Sequence, residues 1–224
     1  MGYHIDTGLI FEKFKEKCEC PLCEIQRVTE EQFLHEFLND AVMEDNTRIK
    51  VGKLGFCDKH FDMLFSRRNK LSLALQIQTR ATIIDKTLVK PLSVKHALKL
   101  AKSYDSDGGC VICDLLEESM IKYYKTIAQM FTREKDFDKT ITATKGFCLN
   151  HYAQLLKYSS YAGLQAKKYL AVLFETEKKS MERVLDELEG FCRKHDYRNA
   201  LKPLGNSENA LPDARIKLYG KRPE

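Results

Sequence analysis

The chain has 224 residues, of which 43% are hydrophobic and 31% charged, an ordinary globular composition that excludes disorder, collagen-like repeats and low complexity. Lys and Arg number 37 against 32 Asp and Glu, and the resulting +5 is spread along the chain, too weak by itself to argue for nucleic acid. No apolar run approaches the ~20 residues of a membrane span, and the first 17 residues lack the basic start and apolar core of a secretory leader, so a cytoplasmic, helix-rich protein with no membrane partner is expected.

Residues 1–17 read as a short amphipathic lead-in carrying Leu9, Ile10, Phe11 and Phe14. Cys20 and Cys23 follow as C-x2-C. From Ile25 to about Asn46, Ile25, Val28, Phe33, Leu34, Phe37, Leu38, Ala41 and Val42 fit one face of a helix. Asn46 to Gly55 reads as a loop. It leads into GFCDKH, where Cys57 and His60 form C-x2-H, and Asp58 to Ser66 should be a short helix. Aliphatic residues alternate from Leu71 to Ile77, a strand signal. The matching stretch of the second half, from Gly163, has helical spacing, and duplicated units share a fold, so a helix is expected here too. Pro91 stops it, and Ser93 can cap a short helix over 94–102.

Residues 103–109, SYDSDGG, read as a linker. Cys110 and Cys113 form a second C-x2-C. A helix follows, with Ile112, Leu115, Leu116, Met120, Tyr123, Tyr124, Ile127, Met130 and Phe131 on its face. A polar loop runs to Gly146 and GFCLNH, where Cys148 and His151 repeat C-x2-H. A long helix is expected from about Tyr161 to Phe191, with Leu170, Phe174, Met181, Val184, Leu188 and Phe191 as its apolar positions. Their heptad-like spacing suits a core helix, with a homo-oligomer seam as the alternative. The tail, with Pro203, Gly205, Pro212, Gly220 and Pro223, reads as extended and irregular.

Four ligand-type residues recur at one shift, with a single insertion between the pairs. Cys110 and Cys113 lie 90 positions after Cys20 and Cys23; Cys148 and His151 lie 91 after Cys57 and His60. An internal duplication of about 90 residues is the simplest account. The fold expected is therefore all-α: two tandem helical repeats, over 1–102 and 110–195, a linker at 103–109, and a tail from 196 to 224.

A pair of ligands two residues apart can bite one ion from a tight turn, and two pairs complete a tetrahedron. Three thiolates and one imidazole are a standard structural zinc set that leaves no open position. Two Zn2+ per chain are expected, one in each repeat: Cys20, Cys23, Cys57 and His60 in the first; Cys110, Cys113, Cys148 and His151 in the second. An iron–sulfur cluster on the same ligands is a lesser alternative. So is a redox dithiol, although that motif expects a βαβ context neither copy shows. Exchange of pairs between the repeats needs more assumptions. A third C-x2-H, Cys192 and His195, has no C-x2-C left to join, and Cys18 is likewise unassigned. His4, His35 and His96 lie outside any ligand spacing.

On GFCDKH and GFCLNH, each preceded by C-x2-C, the chain resembles an uncharacterised bacterial family, a domain of unknown function. The ending FCRKHDYRN, with its Asp196-Tyr197-Arg198 string, resembles the same family. The likeness spans nearly the whole chain and implies no activity. The second copy has CVIC where the first has CPLC, which loses a proline but no ligand.

No hydrolase elbow, phosphate loop, dinucleotide fingerprint or HExxH occurs, and no catalytic residue is assigned. The leading expectation is a non-catalytic, zinc-stabilised scaffold that binds a protein. A nucleic-acid binder is one alternative, resting on basic clusters at Arg67-Arg68-Asn69-Lys70, Lys167-Lys168 and Lys217 to Arg222. A thiol or metal sensor acting through Cys18 or Cys192 is the other.

Overall fold

The computed structural model describes residues 7–39, 44–105, 109–194 and 208–221, and among them every regular element is helical. The all-α expectation holds. The chain divides into two compact units, Val28–Ser119 and Met1–Arg27 with Met120–Glu224. The division falls inside α2 (Pro21–Leu38) and α7 (Val111–Arg133). It does not follow the expected halves 1–102 and 110–195. The middle of the chain forms one unit, and the two ends together form the other.

In the middle unit, α3 (Asp45–Leu54), α4 (Asp58–Phe65), α5 (Lys70–Thr87) and α6 (Val94–Asp105) join parts of α2 and α7. Its core holds Leu34, Phe37, Leu38, Val51, Leu64, Leu73 and Ile112. α3 occupies the stretch expected to be a loop. Its polar composition hides it, because only Val51 and Gly52 are fully buried, with Leu54 partly buried against the same core. Packing supplies what the pattern lacks. A Cβ on Gly52 would meet Ile83 of α5 at 2.6 Å, so the two helices touch there. The Arg80 guanidinium donates to the carbonyls of Gly52 (3.0 Å) and Lys53 (2.7 Å), satisfying acceptors that a helix end leaves open. α5 is helical despite its alternating aliphatics: Leu71 and Leu75 face solvent while Ser72, Leu73 and Gln76 are buried. Asn69 caps it, accepting from the Ser72 amide. Ser93 caps α6 as expected, accepting from the His96 amide at 3.1 Å. That helix runs on to Asp105, into the expected linker.

In the other unit, α1 (Thr7–Lys15), α8 (Phe137–Thr142), α9 (Leu149–Lys157), a 3-10 segment (Ser159–Gln165), α10 (Ala166–Lys194) and α11 (Ala210–Tyr219) join the remaining parts of α2 and α7. α10 is the hub, packing on α8, α9, α11 and the 3-10 segment. Its buried face is Tyr169, Leu173, Thr176, Glu177, Ser180 and Val184. Of the expected stripe, Val184 is buried and Met181, Leu188 and Phe191 are partly so, but Leu170 and Phe174 are 37% and 55% exposed. Three polar members of the true face have partners, and Thr176 donates to the Val172 carbonyl at 2.7 Å. Ser180 donates to the Lys145 carbonyl, and Glu177 accepts the Phe147 amide at 3.0 Å. Rings fill the space beneath, with Phe14 against Phe137 and Phe147, and Phe131 against Tyr169.

Two further stretches expected to be irregular are helical. α8 sits within the expected polar loop, burying Phe137 and Ile141 one turn apart. α11 sits in the expected extended tail, burying Ala210, Ala214 and Lys217 at i, i+4 and i+7. Pro212 lies in its first turn, where a missing amide costs nothing. Residues 196–207 and 222–224 of the tail, His4, His195 and the Asp196-Tyr197-Arg198 string lie outside the described residues.

Candidate metal centre

Eight donors form two groups of four, each group with its ligand atoms within 4.8 Å of one another. The membership differs from the expectation of one ion per repeat. Cys20 and Cys23 meet Cys148 and His151, and Cys57 and His60 meet Cys110 and Cys113. The C-x2-C of each expected repeat joins the C-x2-H of the other. The pairing is nested along the chain, with an outer group (Cys20, Cys23, Cys148, His151) and an inner group (Cys57, His60, Cys110, Cys113). Each group lies within one compact unit.

Both groups are built where two helices begin. The C-x2-C pairs sit at the starts of α2 and α7. There the Cys23 amide donates to the Cys20 carbonyl at 3.1 Å, and the Asp114 amide to the Cys110 carbonyl at 3.1 Å. Cys57 and Cys148 are the N-caps of α4 and α9, with near-identical extended backbones (φ −73°, ψ 163° and φ −73°, ψ 155°). Their carbonyls accept from Phe61 and Tyr152, each at 2.8 Å. One turn on, the histidine comes back beside its cysteine. Helix N-termini favour anions, so the helix starts pull each of the six sulfurs toward the thiolate, against whatever burial and neighbouring sulfurs do.

The Gly-Phe before each C-x2-H has a physical cause. Gly55 and Gly146 have φ of +71° and +87°, a region that side-chain-bearing residues avoid. Each turns the chain into the next helix, and the phenylalanine after it packs inward: Phe56 against Phe37, Phe147 against Phe14.

The donor geometry suits one ion per group. A tetrahedron with zinc–sulfur bonds of ~2.3 Å and zinc–nitrogen bonds of ~2.0 Å has edges of about 3.8 Å between sulfurs and about 3.5 Å between sulfur and nitrogen. Cys23–Cys148 and Cys57–Cys113 are both 3.8 Å apart. The sulfur-to-Nδ1 separations run from 3.2 to 3.5 Å in the outer group and from 3.2 to 3.3 Å in the inner. Both histidines present Nδ1 to the sulfurs. Each Nε2–H then donates to a side chain of α2: His151 to Gln26 and His60 to Glu30, each at 3.0 Å. An imidazole held on its far side by a carboxylate or amide is the usual support of a metal-bound histidine. Neither Gln26 nor Glu30 was legible as part of a site, because no ligand spacing includes them.

In each group one thiol is drawn down by its neighbours. In the inner group, burial pushes the Cys110 thiol up, but the hydrogen bond with His60 and the amides of Cys57 and Cys113 outweigh it and bring it to about 6. Burial lowers His60, and its bonds with Cys110 and Glu30 outweigh that, raising it to about 9. Cys113 is pushed up to about 12 by desolvation and by Cys110. In the outer group, hydrogen bonds from Cys20, Cys23 and His151 hold Cys148 far below the thiol range. Cys20 goes up through burial, and Cys23 goes up to about 12, chiefly through Cys148. Holding all three sulfurs of a group as thiolates would take a cation among them.

The two groups differ in cover. The outer donors Cys20, Cys23, Cys148 and His151 are 2%, 6%, 1% and 3% exposed. The end of α11 closes over them. Gly220 (φ +80°) comes so near that a Cβ there would lie 3.7 Å from the Cys148 sulfur, and the Lys221 amide donates to the Cys23 sulfur at 3.4 Å. Lys221 Nζ pairs with Glu24 at 2.8 Å. Glu19, one residue before Cys20, pairs with Lys145 (2.6 Å) and Arg183, tying that strand of chain to α10. In the inner group His60 and Cys110 are buried, Cys57 is half-buried and Cys113 is exposed.

Cys18 and Cys192 join neither group. Cys18 is half-buried, and burial with Glu24 and Glu16 pushes its thiol up to about 11, the reverse of a reactive cysteine. Cys192 is exposed near the end of α10.

Fold and donor sets together define an all-helical protein with two Cys3His groups that could each hold a metal ion. The chain belongs to a family of unknown function, DUF6062, which matches residues 1–224. No curated protein and no solved structure matches it.

Proposed function

We propose that the protein is a non-catalytic helical scaffold whose two units are each closed by a structural zinc ion, and that it works by binding another protein. The observation that carries the reading is the pair of four-donor groups with the edge lengths of a single tetrahedral ion. Four protein donors leave no position for water or substrate, which favours structure over catalysis. The same spacing favours one ion over an iron–sulfur cluster, whose iron and sulfide would stand between the ligands and spread them apart. Cysteine ligands and free thiols suit a reducing, cytoplasmic compartment.

A protein partner is favoured by the surface between the end of α5 and the middle of α6. Leu88, Val89, Leu92, Val94 and Leu98 are 52–84% exposed there, and Lys90, Lys95 and Lys99 lie among them. Contiguous exposed aliphatic side chains mark interaction sites, and the lysines suit a partner whose apolar face is edged with carboxylates. The basic clusters that suggested nucleic acid are partly engaged elsewhere: Arg67 pairs with Glu31, Lys70 lies over the Phe65 ring, and Lys168 pairs with Asp138.

Metal analysis of the purified protein tests the reading, with two zinc ions per chain expected. No metal, or iron in its place, would refute it. Partner capture from lysate should survive nuclease treatment and be lost in a Val94→Asp/Leu98→Asp variant.

A further inference from the structure

We infer that Cys113, with Cys57 as its partner, is a site of reversible oxidation by peroxide, and that this modification opens the inner group while the outer group stays closed. The inference rests on the zinc occupancy proposed above. A thiol bound to a metal is deprotonated outright. Oxidation of cysteine follows thiolate character and exposure. All six sulfurs share the first property, so exposure decides among them. The outer sulfurs are at most 6% exposed, beneath Gly220 and Lys221. In the inner group Cys110 is 5% exposed, Cys57 is half-buried and Cys113 stands in solvent in the first turn of α7. The Cys57 sulfur is 3.8 Å from that of Cys113, within reach of a disulfide once the ion no longer holds the two apart.

The steps balance. The Cys113 thiolate attacks one oxygen of hydrogen peroxide, the O–O bond breaks, and hydroxide leaves with a sulfenic acid on Cys113. The Cys57 thiolate then attacks the Cys113 sulfur, the S–O bond breaks, and a second hydroxide leaves. Two thiolates and one peroxide become one disulfide and two hydroxides, which take up two protons as water. The ion loses two of its four ligands, and His60 and Cys110 alone do not hold it. A dithiol reductant restores both thiolates.

The test uses the full chain as purified with its zinc, treated with hydrogen peroxide. Released metal is followed with a chromogenic chelator, and disulfides are mapped by mass spectrometry. The expected result is loss of one of the two zinc equivalents, a Cys57–Cys113 disulfide, and recovery of the second equivalent with dithiothreitol and added zinc. A Cys18→Ser/Cys192→Ser variant, in which both groups keep every donor, should behave in the same way. Release of both equivalents together, release of neither, or a disulfide through Cys110, Cys18 or Cys192 would overturn the inference. Chain that binds two zinc ions and loses them at one rate contradicts this inference alone. Chain purified without metal overturns the structural-zinc reading as well.

Discussion

An imidazole that offers Nδ1 to three sulfurs has one nitrogen left with which to hold its orientation, and here α2 supplies the acceptor in both groups. Glu30 is buried and pulled two ways. Burial raises its carboxyl, but hydrogen bonds from His60 and Lys59 outweigh that and keep it ionised below the usual range. Its charge strengthens His60 as a donor to a cation. Removing such a support typically lowers metal affinity by about 10–100-fold. A Glu30→Ala variant should therefore lose inner-group zinc affinity by that order while the outer group is unchanged, as measured by competition with a chelator. Gln26 is neutral, so Gln26→Ala should weaken the outer group less. Equal effects of Glu30→Ala on both groups would argue against this assignment. Neither residue could be read from spacing. What made the eight donors legible was their recurrence, because two-residue intervals repeated at one shift have no other simple cause.

Helices of strong amphipathic pattern were legible, and those held by tertiary contact were not. α2, α4, α6, α7 and α10 were expected near their observed positions, and α5 only through its counterpart in the second half, against its own alternating pattern. α3 buries one aliphatic and a glycine with Leu54 partly covered, α8 has two inward residues, and α11 buries two alanines and a lysine. Such short, weakly apolar segments carry little periodic signal, and packing decides them. α11 is the instructive case. Lys217 is fully buried and pairs at 2.9 Å with Glu177, whose other oxygen holds the Phe147 amide beside Cys148. A lysine at that position reads as a surface residue in sequence. Removing one partner of a buried ion pair leaves an uncompensated charge and costs roughly 3–5 kcal/mol. Lys217→Ala should lower the melting temperature accordingly, and Lys217→Met combined with Glu177→Gln should recover most of the loss. An unchanged melting temperature in Lys217→Ala would show that α11 is not held there. Gly146→Ala should also destabilise, since its φ is +87° and a Cβ would lie 2.8 Å from that of Ser180.

At the scale of the molecule, the recurrence of the ligand pairs was visible in sequence and their assembly was not. Ligand spacing fixes the bite of each pair but not which pair it meets, because that depends on how helices pack. The nested arrangement puts the first and last ligand pairs in one group and the two middle pairs in the other. A zinc ion closing each unit, as proposed, would supply folding energy that a small core lacks, on the order of 10–16 kcal/mol of apparent binding in peptide systems. Zinc stoichiometry in two double variants tests the nesting most directly. Cys23→Ser/Cys148→Ser breaks the outer group twice and should retain one zinc ion, whereas Cys23→Ser/Cys57→Ser breaks both groups and should retain none. The reverse result, one ion kept by Cys23→Ser/Cys57→Ser and none by Cys23→Ser/Cys148→Ser, would mean that each repeat holds its own ion and would contradict the account.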